Sequence, residues 1–159
     1  MNFRDRAVVC LATGFYVGNV PLAPGTLGSI LGLPLCFAIS YLHLSLAILF
    51  AVLFVVIAIL ISTAAEKILE KKDPGSIVID EAAGMLVTLL GLPFNLKTVV
   101  LGFILFRILD ILKPFPIRFL EKKISGGTGV VVDDLIAGIC ANFLLRLLSD
   151  FSLFRIGHG

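Results

Sequence analysis

Leu44 to Ala65 reads LSLAILFAVLFVVIAILISTAA, a stretch without one charged side chain. A run of about 20 apolar residues is what a helix needs to cross the hydrocarbon layer of a bilayer. The expected fold class is therefore all-α, a compact integral membrane helical bundle. The rest of the composition points the same way. Of 159 residues, 58% are hydrophobic and 15% charged, more apolar material than a soluble domain of this size needs for its core. The length fits a single domain over 1–159.

Four further hydrophobic segments flank this span: Thr26 to Leu42, Ile77 to Leu92, Leu96 to Leu112 and Val130 to Leu148. Together they predict about five membrane-embedded helices. The breaks between them are the Tyr41-Leu42-His43 corner, the charged stretch from Glu66 to Gly75, Gly91 to Asn95, and Lys113 to Gly129. At the start, Arg4 and Arg6 precede the short apolar stretch Ala7 to Ala12. That stretch is too short for a signal peptide and no convincing small-residue cleavage site follows, so a membrane-surface or partly inserted helix is expected there. The third segment is short. Ala82 to Leu92 would extend only about 16 Å against a hydrocarbon core of roughly 30 Å. It is expected to reach back to Ile77, which brings Asp80 and Glu81 into the helix near the membrane surface, where a carboxylate is costly unless paired or metal-bound.

Five spans place the N-terminus and the second and fourth connections on one side. That side holds Arg4, Arg6, Lys67, Lys71, Lys72, Lys113, Arg118, Lys122 and Lys123, against Lys97 and Arg155 on the other. Short basic loops stay in the cytoplasm, so this is the expected cytoplasmic face. The net charge of +2 gives no basic stripe with interleaved aromatics, which argues against nucleic acid as a partner. Cys10, Cys36 and Cys140 are odd in number and set among apolar neighbours, fitting neither a disulfide framework nor a zinc site.

Asp80 and Glu81 open the third span, Asp110 closes the fourth, and Asp133 and Asp134 open the fifth. All five fall at cytoplasmic ends, so a shared acidic site is expected from residues distant in sequence. Five clustered carboxylates repel each other unless cations intervene. Hard oxygen ligands without His or Cys favour Mg²⁺, Mn²⁺ or Ca²⁺, and Mg²⁺ with few carboxylates suits a phosphate ester substrate. Each position also has a plainer reading. Asp110 has Arg107 and Lys113 at three-residue spacing and fits a structural ion pair. Asp133-Asp134 fits a favourable interaction with a helix dipole, and Asp80 fits a cap on a helix beginning at Glu81. Gly84 and Thr88 follow Asp80 at four-residue steps, as Ala137 and Ala141 follow Asp133 and Gly138 follows Asp134. Such small residues let helices approach closely. Ser125 to Gly129, with Gly127 and Thr128, precedes the fifth span and reads equally as an anion cradle or a membrane-entry turn. Pro21 to Ser29 leads into the first span with Thr26 expected to cap it.

These motifs taken in order, Pro24-Gly25-Thr26-Leu27-Gly28-Ser29, Ile79-Asp80-Glu81 with Gly84-Met85, Phe106 to Asp110 with Lys113 to Arg118, and Gly126 to Gly129 with Asp133-Asp134 and Ala137-Gly138, resemble the phosphatidylglycerophosphatase A family. The resemblance runs from about Leu11 to Leu148. It implies a Mg²⁺-dependent enzyme of the bacterial inner membrane, multi-pass with its site facing the cytoplasm, that converts phosphatidylglycerophosphate to phosphatidylglycerol and inorganic phosphate. Asp80, Glu81, Asp110, Asp133 and Asp134 match the family's acidic motifs, as do Arg107 and Lys113. These carboxylates are then the expected catalytic and metal-binding groups, with Arg107, Lys113, Arg118, Thr26, Gly127 and Thr128 facing the phosphate. In that reading one or two Mg²⁺ ions polarise the terminal phosphate for in-line attack by water.

Rival chemistries leave weaker traces. Cys140 and Arg146 have the spacing of thiol phosphatases, but a helix interior has already used the backbone N–H groups that a phosphate loop requires. His43 is expected on the opposite face and His158 lies near the end of the sequence, which disfavours a histidine nucleophile. A phosphatidyl transferase would show Asp-Gly and Ala-Arg spacings that are missing. A divalent-cation transporter or channel is the alternative from another class, and it should leave polar groups deeper within the spans.

Overall fold

The computed structural model describes residues 1–71, 74–114 and 127–150, and among them all regular structure is helical. Helix α1 (Phe3–Ala12) is opened by a capping box. The Asp5 amide donates to Oδ1 of Asn2 at 2.9 Å and the Asn2 amide donates to the Asp5 carboxylate at 3.3 Å. A 3₁₀ turn at Val17–Asn19 leads to α2 (Pro24–Ser40), and Tyr41 to His43 form the expected corner before α3 (Leu44–Leu69). Then follow α4 (Ile79–Leu89), α5 (Leu96–Leu112) and α6 (Gly127–Asp150). Of the expected connection Lys113 to Gly129, residues 115–126 lie outside the described residues, and with them Arg118, Lys122, Lys123, Ser125 and Gly126.

The fourth segment was expected from Leu96 to Leu112 and forms over that range, with Asn95 Oδ1 accepting from the Thr98 amide at 3.0 Å as its cap. Two expectations about helix starts are corrected. Thr26 does not cap α2. The cap is Ala23, in a left-handed conformation (φ 49°), with Pro24 at the first helical position, where its missing N–H costs nothing. Asp80 is likewise no cap, because α4 starts at Ile79 and Asp80 lies within its first turn.

Helix α4 is the centre of the assembly, packed most extensively against α6 and α2 and also touching α3 and α5. Its residues are buried along almost the whole length, including Met85 and Leu86, which are fully enclosed. At 11 residues it extends about 16 Å, well short of a hydrocarbon core, so the segment expected from Ile77 to Leu92 does not span by itself. Only α3 is both long and apolar enough to cross a membrane among the described residues; α2 is apolar but has 17 residues.

Burial on α3 is inverted relative to a soluble helix. Ala47, Ala51, Ala58, Ser62 and Ala65 face inward, while Leu46, Leu49, Leu53, Val56, Ile57 and Leu60 face out. Small residues on the inner face let neighbouring backbones come close. On α6 the same division puts Ala137 and Ala141 inside and Ile139 and Phe143 outside.

The C-terminal end of α4 is tied down by α6. Asn142 Nδ2 donates to the carbonyls of Val87 (3.3 Å), Thr88 (2.9 Å) and Leu90 (3.0 Å). Arg146 supports Asn142 through Nε to Oδ1 at 2.8 Å and itself donates to Leu90 O at 3.0 Å. Carbonyls left over at a helix end thereby find donors.

Candidate active site

Four elements converge where α4 and α6 begin. Asp80 and Glu81 lie in the first turn of α4, and Asp134 lies on α6 one turn before Gly138. A methyl group on Gly84 would stand 2.9 Å from Asp134 O, and one on Gly138 would stand 2.5 Å from Gly84 O. The absence of both lets α4 and α6 cross almost backbone to backbone. That crossing brings Asp80, Glu81 and Asp134 together, with a carboxylate oxygen from each inside a 4.8 Å span, although Asp80 and Asp134 are far apart in sequence. Asp80 and Asp134 are buried and Glu81 is partly so.

The other two acidic candidates are engaged by cations. Asp110 Oδ2 accepts from Arg107 Nη1 at 2.6 Å, the three-residue pair that the spacing allows. Lys113 does not join that pair. It closes α5 in a left-handed conformation (φ 43°), and its ammonium forms an ion pair with Oδ2 of buried Asp133 on α6. Adjacent positions on α6 point in different directions, so Asp133 meets α5 while Asp134 meets α4.

Within the trio, Oδ1 of Asp80, Oε2 of Glu81 and Oδ2 of Asp134 are buried and accept no hydrogen bond from the described residues, and Arg107 Nε likewise donates none. Buried carboxylate oxygens without donors are costly. Asp80, Glu81 and Asp110 all lie close enough to Asp134 for their charges to act on it. An all-oxygen, buried and electrostatically crowded donor set fits a hard divalent cation such as Mg²⁺ or Ca²⁺, and lacks the nitrogen and sulfur donors that zinc favours.

The remaining candidates are placed less closely. Thr26 sits in the first turn of α2, next to Gly25, which lies over Glu81 and Arg107. Gly127 and Thr128 open α6 as helix, with Gly127 buried against the backbone of Ser62 and Thr63 on α3 and Thr128 exposed. Arg118 lies outside the described residues. Cys140 and Arg146 sit inside α6, with Arg146 committed to α4, and His43 is exposed at the corner before α3. Asn142 and its partner Arg146 were missed as determinants of the fold around the site. Their signal was a lone amide in an apolar helix with an arginine four residues on.

Comparison with known proteins gives this arrangement a family. The sequence profile of phosphatidylglycerophosphatase A matches residues 10–149. The chain is 38% identical over 149 residues to the phosphatidylglycerophosphatase A of Escherichia coli strain K12, covering 93% of this chain and 82% of that one. It is 36% identical over 133 residues to the protein of the same name from Haemophilus influenzae, with 82% of each chain covered. A Bacteroides thetaiotaomicron protein, 37% identical over 146 residues with 87% of this chain and 91% of its own covered, carries the provisional name phosphatidylinositol-3-phosphatase. No solved structure matches. With a profile match extending from α1 to the end of α6 and taking in every described acidic position of the site, the chain belongs to the phosphatidylglycerophosphatase A family.

Proposed function

We propose that this protein hydrolyses the terminal phosphate monoester of phosphatidylglycerophosphate, releasing phosphatidylglycerol and inorganic phosphate, at the cytoplasmic face of a bacterial inner membrane. The observation that carries this reading is the trio of buried Asp80, partly buried Glu81 and buried Asp134, with an oxygen on each that accepts no hydrogen bond from the described residues, in a chain of this family. Asp80, Glu81 and Asp134 would hold the Mg²⁺ ion, which when bound would supply charge stabilisation for the phosphoryl group and a lower cost of activating water. Arg107 and Lys113, oriented by Asp110 and Asp133, present positive charge to the phosphoryl oxygens. Arg118, Thr26 and the opening residues of α6, Gly127 and Thr128, are the further phosphate contacts of this reading. Water attacks phosphorus, the bond to the glycerol oxygen breaks, and a proton passes to that oxygen.

Membrane embedding is supported by the outward-facing large side chains of α3 and α6, which in water would expose a continuous apolar surface. Lipid acyl chains can then remain in the bilayer while the headgroup reaches the end of the bundle. The loop charges favour the cytoplasmic side for that end. The cation-transport alternative gains nothing from the geometry. Beyond the first turns of α4 and α6 the described core is Met85, Leu86, Phe106 and Ala137 with hydroxyls such as that of Thr88, which donates to Gly84 O at 2.9 Å, and no further buried carboxylate among the described residues continues the site as a cation path.

The test is phosphate release by detergent-purified protein in mixed micelles, with Mg²⁺ or with a chelator, beside Asp134→Asn. Phosphatidylglycerophosphate and phosphatidylinositol 3-phosphate are compared, since relatives bear both names. Release from the first that needs Mg²⁺ and Asp134 is expected. Folded protein that releases nothing from it would overturn the reading, and faster release from the inositol lipid would reassign the headgroup.

A further inference from the structure

Gly25, Gly28 and Gly32 share one buried face of α2. A methyl group on Gly28 would come 2.9 Å from Val78 O, and one on Gly32 would come 3.0 Å from Ala82 O. These two glycines let α2 lie on the backbone of α4. Gly25 meets something else. Its added methyl would stand 2.5 Å from Oε1 of Glu81 and 3.0 Å from both terminal nitrogens of Arg107. Its backbone is in the first turn of a right-handed helix, so conformation gives no reason for glycine there.

We propose that Gly25 is a positioning residue. Lacking a side chain, it leaves room under the first turn of α2 for the Glu81 carboxylate and the Arg107 guanidinium side by side. The inference rests on the phosphatase reading for the roles of those two groups, one toward the cation and one toward the phosphate. A methyl carbon at Gly25 would push Glu81 Oε1 back by about 1 Å to reach ordinary contact. Glu81 is a flexible side chain and can yield. Arg107 is anchored through Nη1 on Asp110 at 2.6 Å, so the carboxylate takes most of the displacement. The site is therefore rearranged while the helices stay where they are, the opposite of what a methyl on Gly32 would do.

The experiment is a double-mutant cycle of Gly25→Ala and Glu81→Asp. Its readouts are Mn²⁺ affinity by electron paramagnetic resonance, melting temperature in chelator, and kcat and KM for phosphatidylglycerophosphate. Gly75→Ala serves as control, because its added methyl meets nothing within 4 Å. Gly25→Ala is expected to melt with the wild type yet lose at least about tenfold in Mn²⁺ affinity and about 10–100-fold in kcat. In the Glu81→Asp background, one methylene shorter, the same change should cost no more than about threefold in Mn²⁺ affinity, as coupled neighbours do. Equal losses in both backgrounds, wild-type Mn²⁺ affinity and kcat in Gly25→Ala, or a melting drop matching that of Gly32→Ala would each overturn the proposal. If the wild type binds Mn²⁺ but releases no phosphate, the substrate reading falls and the Mn²⁺ cycle still decides the part played by Gly25.

Discussion

Replacing Gly138 by alanine places a methyl carbon 2.5 Å from the carbonyl oxygen of Gly84. Both partners are backbone, so no side chain can swing aside, and α4 and α6 must separate by about 1 Å to restore ordinary contact. Overpacking of this kind costs about 1–3 kcal/mol. Its effect on rate should be larger than its effect on folding. Asp134 lies one turn before Gly138 and Asp80 one turn before Gly84, so separation at the crossing is transmitted directly to the carboxylate trio. A displacement of about 1 Å in a catalytic constellation can cost about 100-fold. We expect Gly138→Ala to remain folded in detergent, melt several degrees below the wild type, and release phosphate at least about tenfold more slowly at saturating Mg²⁺. Ile139→Ala, at an outward-facing neighbouring position, should keep the wild-type rate. A Gly138→Ala protein with undiminished kcat would show that the trio does not depend on this crossing, and one with unchanged melting as well would refute the close approach itself.

Three other outcomes follow from the same geometry. Asn142→Ala withdraws the donor shared by Val87, Thr88 and Leu90 carbonyls and should lower stability by about 1–3 kcal/mol with kcat near wild type, read from denaturation and phosphate release. Asp134→Asn removes one charge from a crowded trio, so in chelator it should melt above the wild type while its phosphate release falls at least about 100-fold; a lower melting point in chelator would argue that the trio is not under electrostatic strain. Added Mg²⁺ should stabilise the wild type by about 2.7 kcal/mol at a hundredfold excess over its dissociation constant and leave Asp134→Asn almost unmoved, measured as melting shifts.

The helices were legible in the sequence wherever a single local signal controlled them. The break ending at Asn95 and the apolar run after it marked α5, and the uncharged stretch from Leu44 marked the start of α3, which runs past the expected end at Ala65 to Leu69. The carboxylates were expected at one end on the premise of five alternating spans, whereas α4, at 11 residues, does not span by itself, and what joins Asp80, Glu81 and Asp134 is the close crossing of α4 and α6. What sequence did not show was which acid meets which partner. Lys113 lies three residues from Asp110, yet it pairs with Asp133, 20 positions away, because its left-handed backbone ends α5 beside α6. The shortness of α4 was only half visible. Its start depends on Val78 N donating to Ala12 O at 2.9 Å, and its end on Asn142, both contacts from distant parts of the chain. Thr26 carried a capping signal, but Pro24 had already set the start of α2 two residues earlier.

Helix α4 is held by α6 in opposite ways at its two ends. At one, Asn142 and Arg146 bind its carbonyls; at the other, Asp134 faces Asp80 and Glu81 with like charge. The pivot of such a pair lies near the carboxylates, because the Gly84–Gly138 crossing, where the two backbones come closest, is one turn away. A turning of α6 against α4 about that crossing would shift the carboxylates little, so a cation bound among them would find its ligands already gathered, with little ordering left to do.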